Sequence, residues 1–529
     1  MKKIIQVILV IVIPEIIIFS IIGSYNPDKV LMPFDNTKIQ RVVKDSLPAD
    51  HAKFAELQKE FKTGQEVTEA CIKCHTERGK EFMQTEHWKW VKIDTTVSGE
   101  IVELGKENVP NNFCIGINSN EKLCSKCHAG YGYKDKNFDF TDQNNIDCLA
   151  CHDNTGTYKK SKSGNPAPTV DLSMVAQHVG YPNRDNCGSC HYKGGGGNNV
   201  KHGDLEIAQN SCSREVDVHM ASKSKDDLNM ECTECHKTHN HKISGNVYTL
   251  STSNESRSSC TQCHTAMPHK SKILNQHFEQ IACQTCHIPT YAKVNHTKIE
   301  WDWSTAGEFR NGEPYHEHIE ISEDSIREYG SKHGSAILAR NLTPEYVWFN
   351  GNSKIHMFQD KITESPLVLN KLQGSYEDNI HPANSEHPSK IYPVKVMRGK
   401  QIYDYNYKTL IQPHTVGPKG SGAYWSDFDW DASARTGMEY LGLPYSGKYD
   451  FVSTESYWLL NHMVSPKEES LTCESCHSRD SRLANLTSFY LPGRDKNAVV
   501  ELGGILFLIL VVLGVSGHSV LRFLSKKNN

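Results

Sequence analysis

Eight times this chain spells Cys-x-x-Cys-His, and those copies absorb sixteen of its eighteen cysteines. From the chain's own Cys and His frequencies, chance gives roughly 0.03 such motifs. Two thiols three residues apart can each form a thioether to one vinyl group of a single haem, and the adjoining histidine is then held beneath the iron. A zinc knuckle or a redox dithiol explains one Cys-x-x-Cys, but neither demands a histidine after every second cysteine. The pattern predicts eight covalent haems c. Their attachment pairs are Cys71 and Cys74, Cys124 and Cys127, Cys148 and Cys151, Cys187 and Cys190, Cys232 and Cys235, Cys260 and Cys263, Cys283 and Cys286, and Cys473 and Cys476. The motif ligands to iron are His75, His128, His152, His191, His236, His264, His287 and His477.

Only 37% of the 529 residues are hydrophobic, and the mean hydropathy is −0.55, which is poor for a conventional apolar core of that size. Eight flat macrocycles supply the missing apolar surface, and iron–histidine bonds tie distant segments together. The expected fold is mainly α with extensive irregular structure, packed around haem. A formal charge of −4 excludes the basic face that nucleic acid requires.

Both ends are apolar. Residues 4–22 hold fifteen Ile, Val, Leu or Phe behind Lys2 and Lys3, so 1–23 reads as a signal anchor or a signal peptide. Leu502 to Leu521 is twenty residues without a charge, long enough to span about 30 Å as a helix. Arg522, Lys526 and Lys527 follow it, and 522–529 reads as a cytoplasmic tail. Positive flanks at both ends put 24–501 on the extracytoplasmic, periplasmic face of the cytoplasmic membrane, the side on which c-type attachment is completed. His518 sits inside the second apolar segment.

Motif starts are separated by 53, 24, 39, 45, 28, 23 and then 190 residues. Seven motifs therefore crowd into a haem-dense stretch, 63–290. Residues 291–470 carry no attachment site and read as a scaffold that returns over the haems, and the last haem lies in 471–495. The spacings are too uneven for a solenoid.

Of 27 histidines, eight belong to motifs and nineteen remain. Each six-coordinate haem needs one distal histidine. Proximity to the motifs selects His87, His202, His219, His241, His269, His277 and His462, with His178, His239, His356, His381 and His414 in reserve. One segment differs from the rest. Gly194 to Gly197 would let backbone lie where a Cβ collides, and Lys201-His202 follows closely. A lysine ligates iron only when neutral, hence when buried. The same segment also reads as a flexible loop with an exposed lysine.

The segments TGQEVTEACIKCH, TEHWKW, NNFCIGINSNEKLCSKCHAGYGY, NNIDCLACHDNTGTYKK, NCGSCHYKGGGGNNVKHGDL, VDVHM, ACQTCHIP, WDWSTAG, PEYVWFNG, YWLLNHMV and FYLPGRD carry a resemblance that runs from about Thr63 to Asp495. The chain resembles the octahaem tetrathionate reductase family, a relative of hydroxylamine oxidoreductase and of the pentahaem nitrite reductases. The resemblance implies seven bis-histidine haems and one catalytic haem with a lysine ligand. The catalytic haem would be the one on Cys124, Cys127 and His128, with Lys201 as its lysine and Asn111 and Cys114 lining the site. Lys159, Lys160 and Lys193 are the alternatives. Cys212 matches no role, and a disulfide between it and Cys114 would upset the assignment.

The expected function is a membrane-anchored oxidoreductase that reduces a small oxyanion of nitrogen or sulfur (tetrathionate, nitrite, or also hydroxylamine). Seven haems relay electrons from a quinol dehydrogenase or cytochrome partner. Hydroxylamine oxidation, or electron transfer without catalysis, are the alternatives.

Overall fold

The computed structural model describes residues 49–95, 100–113, 116–245, 257–265, 267–380 and 388–525. The N-terminal apolar segment, Cys114, His381 and residues 526–529 lie outside them.

The attachment motifs sit on short helices, because a single helical turn turns two thiols three residues apart to one side. Gly64–Cys74 is the longest of these, and Thr63 caps it by accepting from Glu66 N at 3.3 Å. The Glu66 carboxylate reaches back to Lys62 N at 2.7 Å. Arg184–His191 starts with a capping box between Asn183 and Asn186. The remaining motifs occupy helices of about one turn, such as Leu149–His152, Cys232–Cys235, Cys283–His287 and Cys473–Cys476.

The scaffold departs from the mainly α expectation. It is built on a nine-stranded sheet. Lys390–Asp404 runs through its middle, antiparallel to Tyr449–Leu459 over eleven paired residues and parallel to Thr297–Asp302 on the other side. Gly334–Ala339, Ser325–Gly330 and His316–Ser322 extend the sheet as a meander. The reason these strands are hard to see in sequence is chemical: their buried positions include Thr454, Ser456, Lys395 and Gln401, so no clean apolar alternation results. Phe113, Trp301, Trp303, Met397, Tyr424, Met438 and Trp458 form the largest apolar cluster, built on this sheet and the helix Trp430–Leu441.

The described chain divides into two compact units. The larger holds the sheet, the first five motifs and the motif at Cys283. The smaller combines Cys263–Glu279 with the chain from Thr472 onward, which includes the last motif. In the smaller unit Arg494 gathers a loop by donating to the carbonyls of Leu483 (2.9 Å), Leu486 and Phe489 (2.6 Å), and to the Asp495 carboxylate. The helix Ala498–Ser525 follows. Its apolar part, Ala498–Arg522, has 25 residues and a mean hydropathy of 2.7, and among the described residues it alone is long and apolar enough to cross a membrane.

Candidate haem sites and substrate cavity

Four pairs of imidazoles face one another. Their centroids lie 6.3 Å apart in His51–His75, 6.1 Å in His87–His191, 6.3 Å in His236–His462 and 6.2 Å in His277–His477. Two imidazoles bound to one metal at about 2.0 Å put their centroids roughly 6 Å apart, so each gap fits a six-coordinate iron. The rings are also turned correctly. Nδ1–H of His51 donates to Ala49 O at 2.9 Å, that of His236 to Ser244 O at 2.8 Å, and that of His477 to Pro492 O at 2.9 Å. His462 Nδ1 meets the Asp204 carboxylate at 3.2 Å. Tying back Nδ1 fixes the tautomer and leaves Nε2 as the ligand atom. His152 and His241 are held in the same way, by Gly180 O at 2.8 Å and Glu81 Oε2 at 3.2 Å.

The thiols show which attachment sites adjoin. Cys71 interacts with Cys148, Cys127 with Cys190, Cys187 with Cys232, and Cys260 with Cys283. Haems attached at these sites would be neighbours in the fold.

His128 breaks the pattern. Its ring is fully buried among Trp88, Trp90, Tyr133, Phe138 and Phe140, with centroids 4.8–5.9 Å away. It is Nε2, not Nδ1, that donates, to Trp88 O at 2.6 Å. Burial pushes its pKa down to about 3, so the ring is neutral. The nitrogen that would face iron is thus engaged by a backbone carbonyl. A lysine stands at the same end of the motif. Lys160 Nζ lies 2.5 Å from His128 O and 3.4 Å from Gly130 O, and pairs with the buried Asp147 carboxylate at 2.6 Å.

A small cleft of about 40 Å³ opens nearby, lined by Lys106, Asn111, Lys201, Asn370, Ser456 and Trp458, among others. The fields of Lys106, Lys160 and Lys201 all reach the Cys127 sulfur. Lys201 Nζ lies 4.8 Å from the Trp458 ring centroid, and His202 meets the same ring edge-on at 5.2 Å. Asn111 Oδ1 accepts from Phe113 N at 3.2 Å, and its carbonyl accepts from Gln401 Nε2 at 3.0 Å. Beneath the Lys201 loop is Lys395, fully buried, which donates to the carbonyls of Val200 (2.9 Å) and Lys201 (3.0 Å) and to Thr297 Oγ1 (2.5 Å). The glycine run packs on this loop: a Cβ on Gly194 would stand 3.2 Å from Lys201 Cδ, and Gly195 (φ +75°) lies against Phe113. Cys212 is a free, buried thiol.

A solved octahaem cytochrome c from Shewanella oneidensis is 41% identical to this chain. It covers 85% of this chain and 99% of its own, with a TM-score of 0.75. The chain belongs to the octahaem cytochromes c. Two family models match parts of this octahaem cytochrome: "Cytochrome c554 and c-prime" over residues 70–153 and "Cytochrome c bacterial" over residues 298–480. An uncharacterized protein of Archaeoglobus fulgidus is 23% identical over 237 residues, 35% of this chain and 77% of its own. Haem c is covalently bound in this family, and the octahaem neighbour agrees with the eight motifs here.

Among the distal histidines expected in this octahaem cytochrome, His87, His277 and His462 stand in facing pairs. His51 does too, although it precedes the haem-dense stretch and proximity to a motif could not select it. His219 Nδ1 lies 3.8 Å from Asp217 Oδ1, and His269 is anchored through its backbone to Asn275. In the reserve set, His414 donates to Ser119 O at 2.7 Å, His178 bonds Met174 O at 2.8 Å, and His356 N bonds Leu369 O at 2.9 Å. His239 lies exposed on a two-residue strand.

Proposed function

We propose that this octahaem cytochrome is a reductase of small nitrogen or sulfur oxyanions, working at the haem on Cys124 and Cys127. The observation that carries the reading is the hydrogen bond from His128 Nε2 to Trp88 O, beside a cleft lined by two lysines. Lys160, at the carbonyl end of that motif, is the residue assigned to hold the iron, in place of Lys201. The carbonyls of His128 and Gly130 and the Asp147 carboxylate accept from its Nζ and hold it at that place, and iron would have to displace a proton there. When bound, the haem supplies a redox-active Lewis acid. Lys106 and Lys201 offset the negative charge of the substrate in the cleft, and Asn111, Asn370 and Ser456 give it polar walls. Lys395 fixes the Lys201 loop from below. Nitrite and tetrathionate are anions whose charge these lysines would offset, and hydroxylamine would bind as a neutral ligand. The apolar helix Ala498–Ser525 anchors the protein in the membrane with its haem body outside, and a quinol dehydrogenase or cytochrome supplies electrons.

Paired variants test this. Lys160→Ala should change the electron paramagnetic resonance and Raman signature of one haem and abolish turnover. Lys201→Ala should leave the spectrum alone and raise KM for nitrite or tetrathionate at least about tenfold, the loss of one charge-assisted contact. The reverse pattern would restore Lys201 as the ligand. Eight six-coordinate, low-spin haems in the resting protein would make it an electron carrier.

A further inference from the structure

The axial histidine of the last haem is fastened to the backbone that leads into the apolar helix. His477 Nδ1–H donates to Pro492 O at 2.9 Å. The next residue, Gly493, has φ +88°, and a Cβ there would stand 2.4 Å from the His477 carbonyl oxygen. Backbone and axial ligand are therefore in direct contact at a position where only glycine fits. From Pro492 to Ala498, where the helix begins, is six residues, a reach of at most about 20 Å even if fully extended. Arg494 shortens it further by folding the loop upon itself. The opposite ligand, His277, faces His477 at 6.2 Å with planes 20° apart, and Cys473, Pro492 and Gly493 are exposed. The basic residues Arg479, Arg482, Arg494 and Lys496 outnumber Asp480 and Asp495 between this motif and the helix.

We infer that the haem on Cys473 and Cys476 is the port through which electrons enter from the membrane, and that Pro492–Gly493 holds that port at a fixed short distance from the membrane surface. The inference rests on the membrane reading of the apolar helix given above. The partner is a membrane-embedded haem protein with an acidic outer face. One electron leaves its ferrous iron and reduces the ferric iron between His277 and His477. No bond forms or breaks, and no proton moves in this chain.

The test uses the full-length haem-loaded protein in its native membranes, with reduction of the haem array followed by stopped-flow absorbance. Quinol-reduced membranes are compared with methyl viologen radical, which reaches any exposed haem. In His277→Met and in Gly493→Ala, the ratio of quinol-driven to viologen-driven reduction rate should fall at least about tenfold, and spectropotentiometry should show a changed midpoint for one haem only. In Lys419→Ala, an exposed change in the larger unit, the ratio should stay at the wild-type value. A wild-type ratio in His277→Met overturns the inference, because entry must then lie elsewhere. A wild-type protein that viologen reduces but quinol-reduced membranes do not would overturn the membrane reading itself, and the port with it.

Discussion

His128 gives its Nε2 proton to the carbonyl of Trp88 at 2.6 Å, while Trp88 and four further aromatic rings close around the imidazole. This motif histidine is packed as tightly as a core residue, and its Nε2 is engaged by the chain itself. Trp88 is the largest wall of this enclosure and is fully buried. Trp88→Ala should cost about 3–5 kcal/mol of stability. The main-chain carbonyl that accepts from His128 Nε2 survives the change, so the imidazole should stay bonded to it and resonance Raman should show every haem as in the wild type. One haem converting to a bis-nitrogen, low-spin form would mean that the aromatic enclosure, not the carbonyl, keeps His128 from the iron.

His51 pairs with His75 at 6.3 Å although no motif lies near it in sequence. His51→Ala should leave all eight haems attached and turn one of them high-spin, visible as a single new axial signal by electron paramagnetic resonance. The other seven haems, six of them low-spin, should keep their signatures. If every haem keeps its signature, a different residue caps the haem on Cys71 and Cys74.

Glu121 lies three residues before Cys124, nearly inaccessible to water. It accepts from Tyr440 OH at 2.8 Å and from Ser119 N at 3.2 Å. Burial raises its pKa in the folded protein, with the hydrogen bonds opposing that shift. The native state therefore binds this proton more tightly than the unfolded chain does. Its stability falls as pH rises from the unfolded carboxyl pKa, about 4.3, through the raised folded value. Glu121→Gln keeps an acceptor for Tyr440 and removes the ionisation. Its stability relative to wild type should improve between pH 4 and pH 7, as thermal melts at the two pH values will show. A difference that does not vary with pH would place the carboxyl's titration outside that window.

Arg184 is buried and ties three chain segments together. It donates to the carbonyls of Gln209 (2.8 Å) and Met220 (2.7 Å) and to Asn229 Oδ1 (2.5 Å). Arg184→Met should cost about 3 kcal/mol, because several buried acceptors lose their donor together. Hydrogen exchange across 205–231 should accelerate, with little change in the strands of the sheet. Acceleration spread evenly over the chain would point to global destabilisation instead.

Covalent haem c was legible in the sequence because thioether chemistry dictates a contiguous pattern. The distal ligands were less so. An axial partner comes from any distance along the chain, and only the folded backbone brings His51 to His75 or His277 to His477. The lysine was the hardest case. Lys160 and Lys201 both occur in motif-like surroundings, and what separates them is which one stands behind His128 and which lines the cleft. The sheet leaves little trace in the sequence because buried strand positions hold Lys395, Thr454 and Ser456, and Lys395 and Thr454 find partners far along the chain, Val200 O and Gln401 Oε1.

The contact between Cys71 and Cys148 also bears on how the protein is made. In a finished molecule each sulfur carries its own macrocycle. In a chain that folds too early, the same geometry presents two naked thiols to any oxidant, and they belong to different motifs. A cross-link between them would lock out two prosthetic groups at once. Loading must therefore outrun both folding and oxidation. Production strains short of attachment machinery should accumulate not an empty native form but a miswired, protease-sensitive one.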